Sequence, residues 1–124
     1  MNFLFVALGS AVGGVCRYGL SLLTTKWYGG NFPLGTFIVN ILGCMVIGFL
    51  FGCIDRGINM SAATRLFLIT GFCGGFTTFS TFMNENYLLF GGDKGLPVVS
   101  LYTTLSFFFG LLMIYLGHRL SEFI

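Results

Sequence analysis

Arg17, Asn40, Glu85 and a run of hydroxyls from Thr77 to Thr81 all fall within stretches otherwise built of Leu, Ile, Val, Phe and Gly. A polar group without a partner is costly in hydrocarbon, and an ionisable one there is a functional-site candidate by default. Asn40 sits near the middle of Gly35-Thr36-Phe37-Ile38-Val39-Asn40-Ile41-Leu42-Gly43. Its amide can hydrogen-bond a neighbouring helix, or offer two neutral N–H donors that solvate an anion without trapping it. Arg17 follows Gly13-Gly14-Val15-Cys16, six residues before its apolar stretch ends. It can snorkel to the interface, or place positive potential at the mouth of an anion route.

The densest constellation is Gly71-Phe72-Cys73-Gly74-Gly75-Phe76-Thr77-Thr78-Phe79-Ser80-Thr81-Phe82. The adjacent glycines Gly74 and Gly75 weaken a helix, and a break at membrane depth is tolerated only where protein or a cavity satisfies the freed backbone. Freed carbonyls are cation ligands and freed amides are anion ligands. Beyond the break, at about 100° per residue, Phe79 and Phe82 lie about 60° apart on one face, with Thr78, Thr81 and Glu85 clustered on another. Aromatic packing beside helix-bonded hydroxyls accounts for many such stripes. Against it here stand five hydroxyls or acids between Thr77 and Glu85, the last of them an acid that lipid rejects. Further on, Tyr102, Ser106 and Gly110 fall at i, i+4 and i+8, a line that completes a hydroxyl track when set against the Thr78, Thr81 and Glu85 face.

Four apolar stretches carry these residues: Phe3–Leu23, Leu34–Ile54, Leu66–Phe90 and Pro97–Leu116. Each is long enough to span a bilayer as a helix. The connections at Lys26–Pro33, Asp55–Ser61 and Gly91–Gly95 are turn-like. Trp27 and Tyr28 suit an interface, Ser61 or Thr64 a helix cap, and Pro97 a first helical turn. Of 124 residues, 56% are hydrophobic and 8% charged, and mean hydropathy is +0.92, against about a quarter charged in a soluble domain. The expectation is an all-α membrane protein, one four-helix unit over residues 1–124, with no room for a soluble catalytic domain. No acid–base pair, nucleophile or phosphate loop is present, so an enzyme is not expected.

A net charge of +2 without a run of like charge gives no sign of a nucleic-acid partner. Cys16, Cys44, Cys53 and Cys73 form no C-x-x-C and read as small packing residues. Met1-Asn2-Phe3 lacks the basic start of a signal peptide, so the first stretch is expected to be retained. Arg56, Arg65 and Arg119 on one side face Lys26, Lys94 and Arg17 on the other. So even a distribution allows insertion either way up and an antiparallel pair, unless other features fix the topology. Four short helices fill their own centre, so transport requires an oligomer. Gly9-x3-Gly13, Gly48-x3-Gly52 and Gly71-x2-Gly74 offer close helix approach.

Taken together, Gly13-Gly14-Val15-Cys16-Arg17-Tyr18, Gly35-Thr36-Phe37-Ile38-Val39-Asn40 and above all the Gly71–Phe82 run resemble the small bacterial fluoride channels of the Fluc (CrcB) type, over nearly the whole chain. The resemblance implies four transmembrane helices with a broken third helix in a dual-topology antiparallel homodimer with two fluoride pores. It implies a central structural sodium ion bound by the backbone carbonyls of Gly74 and Thr77. It further implies a multi-pass protein of the bacterial cytoplasmic (inner) membrane that exports fluoride passively. By motif, Phe79 and Phe82 are implied as the paired pore phenylalanines, Asn40 as the pore asparagine, and Arg17 as the vestibule arginine. Glu85, Tyr102 and Ser106 match the polar track, with Thr78 and Thr81 lining the same pathway. Gly110 stands where some members have serine, and Met83 where a small polar residue is common. The physics fits, since aromatic ring edges are positive and can replace part of an anion's hydration. The alternative is a proton-coupled small multidrug exporter, which needs a carboxylate in the first helix, where this chain has Arg17.

Overall fold

The structure is a computed structural model that describes residues 1–30 and 32–124; Asn31, in the first expected turn, lies outside the described residues. Among the described residues, four helical crossings are long and apolar enough to span a membrane: Asn2–Trp27, Leu34–Asp55, Ala62–Phe90 and Gly95–Ser121. The chain is an all-helical, multi-pass membrane protein. The first, second and fourth crossings are single helices, α1 (Asn2–Trp27), α2 (Leu34–Asp55) and α6 (Gly95–Ser121). The third is composite: one turn of α3 (Ala62–Arg65), a π-helical stretch (Leu66–Cys73), α4 (Gly74–Phe76), and α5 (Ser80–Phe90).

Every crossing begins or ends at, or runs past, the apolar stretch that foretold it. Lys26 and Trp27, expected in a turn, form the last turn of α1. A cation there faces the carbonyl end of the helix dipole, and Trp27 is fully outside the protein interior, as an interfacial ring should be. At the end of α2, Gly57 adopts φ 88°. Its N–H donates to Ile54 C=O at 3.0 Å, and Ile58 N–H donates to Cys53 C=O at 3.0 Å. This double closure requires a left-handed residue, which glycine supplies at no steric cost. Ser61 caps α3 by accepting from Thr64 N–H at 3.1 Å.

In lipid the helices gain no hydrophobic advantage from packing together, so close backbone contact does the work. Along α1, Gly9 faces Phe67 C=O and Gly71, and Gly13 faces Phe72 C=O and Phe76 N–H; a Cβ at either would overlap backbone. From the other side of this seam, Gly75 meets the backbone of Ser10. The small pair on the third crossing is therefore Gly71-x3-Gly75, not the expected Gly71-x2-Gly74, and a Cβ at Gly74 would meet nothing within 4 Å. A second seam joins α2 to α6, where Gly48 lies on Ile114, Gly52 on His118 and Ser121, and Gly117 on Met45 C=O and Phe49 N–H.

The interruption of the third crossing also departs from its expected place. Gly74, at φ −63° and ψ −37°, is ordinary right-handed helix. The chain turns extended instead at Thr77, with φ −88° and ψ 159°, and resumes helix at Ser80. Gly71 and Gly75 supply the close contact to α1, and the departure from helix is imposed beyond them, at Thr77.

Candidate functional site

Asn40 imposes it. From the second turn of α2 its Oδ1 accepts from Thr78 N–H at 2.9 Å, and its Nδ2 donates to Thr78 C=O at 3.1 Å. The side-chain amide thus acts as a strand-like partner for both backbone groups of one residue. This pairing fixes the amide's orientation, because the reverse would set donor against donor. An Asn NH2 carries two donors, so one N–H remains after Thr78 is served. Thr78 N–H, which in a continued helix would close onto Gly74 C=O, is spent on Asn40, and the Gly74 carbonyl loses its helical partner. Thr77 N–H closes back onto Cys73 C=O at 3.0 Å, joined there by Thr77 Oγ1 at 2.8 Å. Thr78 Oγ1 then accepts from Thr81 N–H at 3.3 Å, starting α5.

One turn into α5, Glu85 is held by two hydroxyls from different helices. Thr36 Oγ1 donates to Oε2 at 2.8 Å, and Tyr102 O–H donates to Oε1 at 2.8 Å. Thr36 is buried and Tyr102 has no exposed surface. Phe82 leans on Tyr102 with ring centroids 4.8 Å apart, and Phe79 lies 6.2 Å from Phe82. Phe79 itself is 73% exposed, so its ring projects from the protein rather than into its core.

Two concavities flank this cluster. A vestibule of about 470 Å³ is lined by Ser21, Thr24, Thr25, Thr36, Thr81 and Glu85. A longer apolar groove of about 610 Å³ runs past Asn40, Gly74, Thr77, Phe82, Ser106 and Gly110. The start of α5 lies between them, with Thr81 and Glu85 opening on the vestibule and Phe79 and Phe82 on the groove. Ser106 Oγ is buried with no partner among the described residues, in the groove wall next to Gly110. Arg17 is half-buried, and its Nε donates to Gly75 C=O at 3.0 Å.

The structure thus brings together Asn40 with Thr78, Glu85 with Tyr102, and Phe79 with Phe82, and lines the groove with Ser106, Gly74 and Thr77. Arg17 stands apart, against the last turn of α4.

A family model described as CrcB-like protein, Camphor Resistance (CrcB), matches residues 4–118. The chain belongs to the CrcB family. Its relatives include proteins named Fluoride-specific ion channel FluC. That of Flavobacterium psychrophilum is 42% identical over 113 residues, 91% of this chain and 90% of the relative. That of Chloroflexus aurantiacus is 42% identical over 121 residues, 98% and 95%. That of Chlorobium phaeobacteroides is 44% identical over 115 residues, 93% and 88%. These CrcB relatives carry the name of an ion channel, not of an enzyme.

In this CrcB chain the residue that sequence reasoning passed over is Thr36. It lies four residues before Asn40 and so on the same face of α2. That spacing was the available signal, and only the fold shows that the hydroxyl reaches Glu85. Asn86 was also passed over. It is buried beside Glu85 with its Oδ1 unpartnered among the described residues.

Proposed function

We propose that the chain forms a fluoride-selective channel that lets fluoride leave the cytoplasm passively, so lowering its cytoplasmic concentration. The observation that carries this reading is the Thr36–Glu85–Tyr102 cluster set beside the Phe82 ring, polar donors and aromatic edges gathered inside spanning helices. Relatives named as fluoride-specific ion channels support it. A small anion enters such a path only if donors replace its water. In the vestibule Ser21 and Thr81 offer O–H groups, those of Thr24 and Thr25 being given to carbonyls of α1; Asn40 keeps one N–H, and the ring edges of Phe79 and Phe82 carry partial positive charge. Both hydroxyls at Glu85 are already given to its carboxylate, so an arriving anion competes with Glu85 for the same two donors.

The finer arrangement follows from what one copy leaves open. The groove is open and mostly apolar, which suits closure by a second copy in antiparallel orientation, with two pathways per homodimer. The nearly even Lys/Arg count supports insertion in both senses. A structural sodium ion fits the donors on this face, since carbonyl oxygens are hard ligands for a small hard cation. Gly74 C=O has lost its helical partner, Thr77 is extended, and both line the groove. The carbonyls of Gly74 and Thr77 from each copy would hold the ion, whose charge favours an anion nearby. Residence in the bacterial inner membrane belongs to the same proposal.

A proton-coupled multidrug exporter would carry its exchanging carboxylate in α1, which has no Asp or Glu. Purified protein in fluoride-loaded liposomes, followed with a fluoride electrode, tests the proposal. Efflux is expected without a proton gradient and unchanged when one is imposed. Efflux that requires the gradient would reject a passive channel.

A further inference from the structure

The helix ending at Phe76 closes onto Cys73 C=O and leaves the carbonyls beyond Cys73 without helical donors. Cys73 C=O is served by Thr77, and Gly75 C=O by Arg17 Nε. Arg17 reaches it because Gly13, one turn earlier on the same face of α1, lies directly on Phe72 C=O and Phe76 N–H. With no side chain between the two backbones at Gly13, the guanidinium one turn on projects over the last turn of α4. A cation at a helix carbonyl end is favoured by the dipole, and its hydrogen bond is charge-assisted.

We propose that Arg17 is a positioning residue that caps α4 through Gly75 C=O and so holds the interruption at Thr77, rather than a source of attraction for anions. Its bond fixes the peptide that follows Gly75, and with it the directions of the neighbouring Gly74 and Thr77 carbonyls. The functional part of this inference rests on the channel reading above; the capping part does not. A residue that merely attracted anions needs no anchor to the backbone, whereas here Nε is tied to the backbone of another helix.

The test compares Arg17→Met, Arg17→Gln and Arg17→Lys in two readouts. The first is amide hydrogen exchange of peptides covering residues 74–80, in full-length protein in lipid nanodiscs. Arg17→Met should speed exchange at Thr77 and Thr78 about tenfold or more, the loss of one charge-assisted bond. Gln and Lys each keep an N–H donor and should stay closer to wild type. The second is fluoride efflux against fluoride concentration at low and high salt. Arg17→Met should lower the maximal rate about tenfold with half-saturation unchanged and no dependence on salt, and Arg17→Gln should outperform it.

Unchanged exchange in Arg17→Met would overturn the proposal. So would a pattern in which Gln fails as badly as Met while Lys matches wild type, with the deficit vanishing at high salt. If Arg17→Met does not survive purification, Gln against Lys decides, since a cap predicts similar protection in both and charge attraction predicts lost flux in Gln alone. A wild type that passes no fluoride would reject the channel reading, and the exchange measurement would still judge the cap.

Discussion

Removing the Asn40 amide should loosen the interruption of the third crossing and the pathway beside it together. Asn40→Ala deletes two hydrogen bonds, to Thr78 N–H at 2.9 Å and to Thr78 C=O at 3.1 Å. Each contributes about 0.5–1.5 kcal/mol net, and each backbone group left unserved costs about 1–3 kcal/mol if it stays dry. The site is half-buried and borders the open groove, so water reaches part of it and the lower end applies, about 2 kcal/mol in all. Unfolding in mixed detergent and SDS micelles, followed by circular dichroism, reads this directly. Fluoride flux from liposomes should fall by about tenfold or more, since an unanchored Thr78 disorders the donors on either side. Asn40→Asp keeps an acceptor for Thr78 N–H but sets an oxygen against Thr78 C=O, and its charge repels anions. It should lose more flux than Asn40→Ala. An Asn40→Ala protein within about 0.5 kcal/mol of wild type and conducting at the wild-type rate would refute the reasoning.

Phe79→Ile and Phe82→Ile should each reduce fluoride flux while eluting from size exclusion as wild type does, because they replace ring edges without emptying the site; unchanged flux would remove them from the pathway. Gly13→Ala places a Cβ against Phe72 C=O and Phe76 N–H and should cost about 1–3 kcal/mol in the same unfolding assay. Gly14→Ala, with nothing within 4 Å of its Cβ, should be neutral or stabilising by up to about 1 kcal/mol. Lysines added to one end of the molecule should force a single orientation and abolish flux, and coexpression of oppositely biased versions should restore it. Full activity from one biased version alone would contradict an antiparallel assembly.

The four crossings were legible because length and hydropathy are properties of the local sequence, and glycine runs such as Gly9-x3-Gly13 announce close packing. Two details were not. The Gly71-x2-Gly74 pairing assumed α-helical register, but Leu66–Cys73 is wound as a π-helix, and its i→i+5 closure shifts which small residue faces α1. The interruption was expected at Gly74-Gly75 on helix propensity, yet it sits at Thr77 because Asn40, 38 residues away, captures the backbone of Thr78. A tertiary contact outweighed a local preference of about 1 kcal/mol per glycine. Candidate site residues were legible as polar exceptions in apolar spans. Their partners were not: neither the Thr36 bond to Glu85 nor the Arg17 bond to Gly75 C=O is visible until α1, α2 and the third crossing are packed.

The central claim is selective, passive conduction of fluoride, and the reversal potential of the reconstituted protein in a planar bilayer tests it most directly. A tenfold fluoride gradient with chloride equal on both sides should give a reversal potential of about 59 mV, the one-charge value. A tenfold chloride gradient with fluoride equal should leave it at zero. Equal responses to the two gradients would contradict the account.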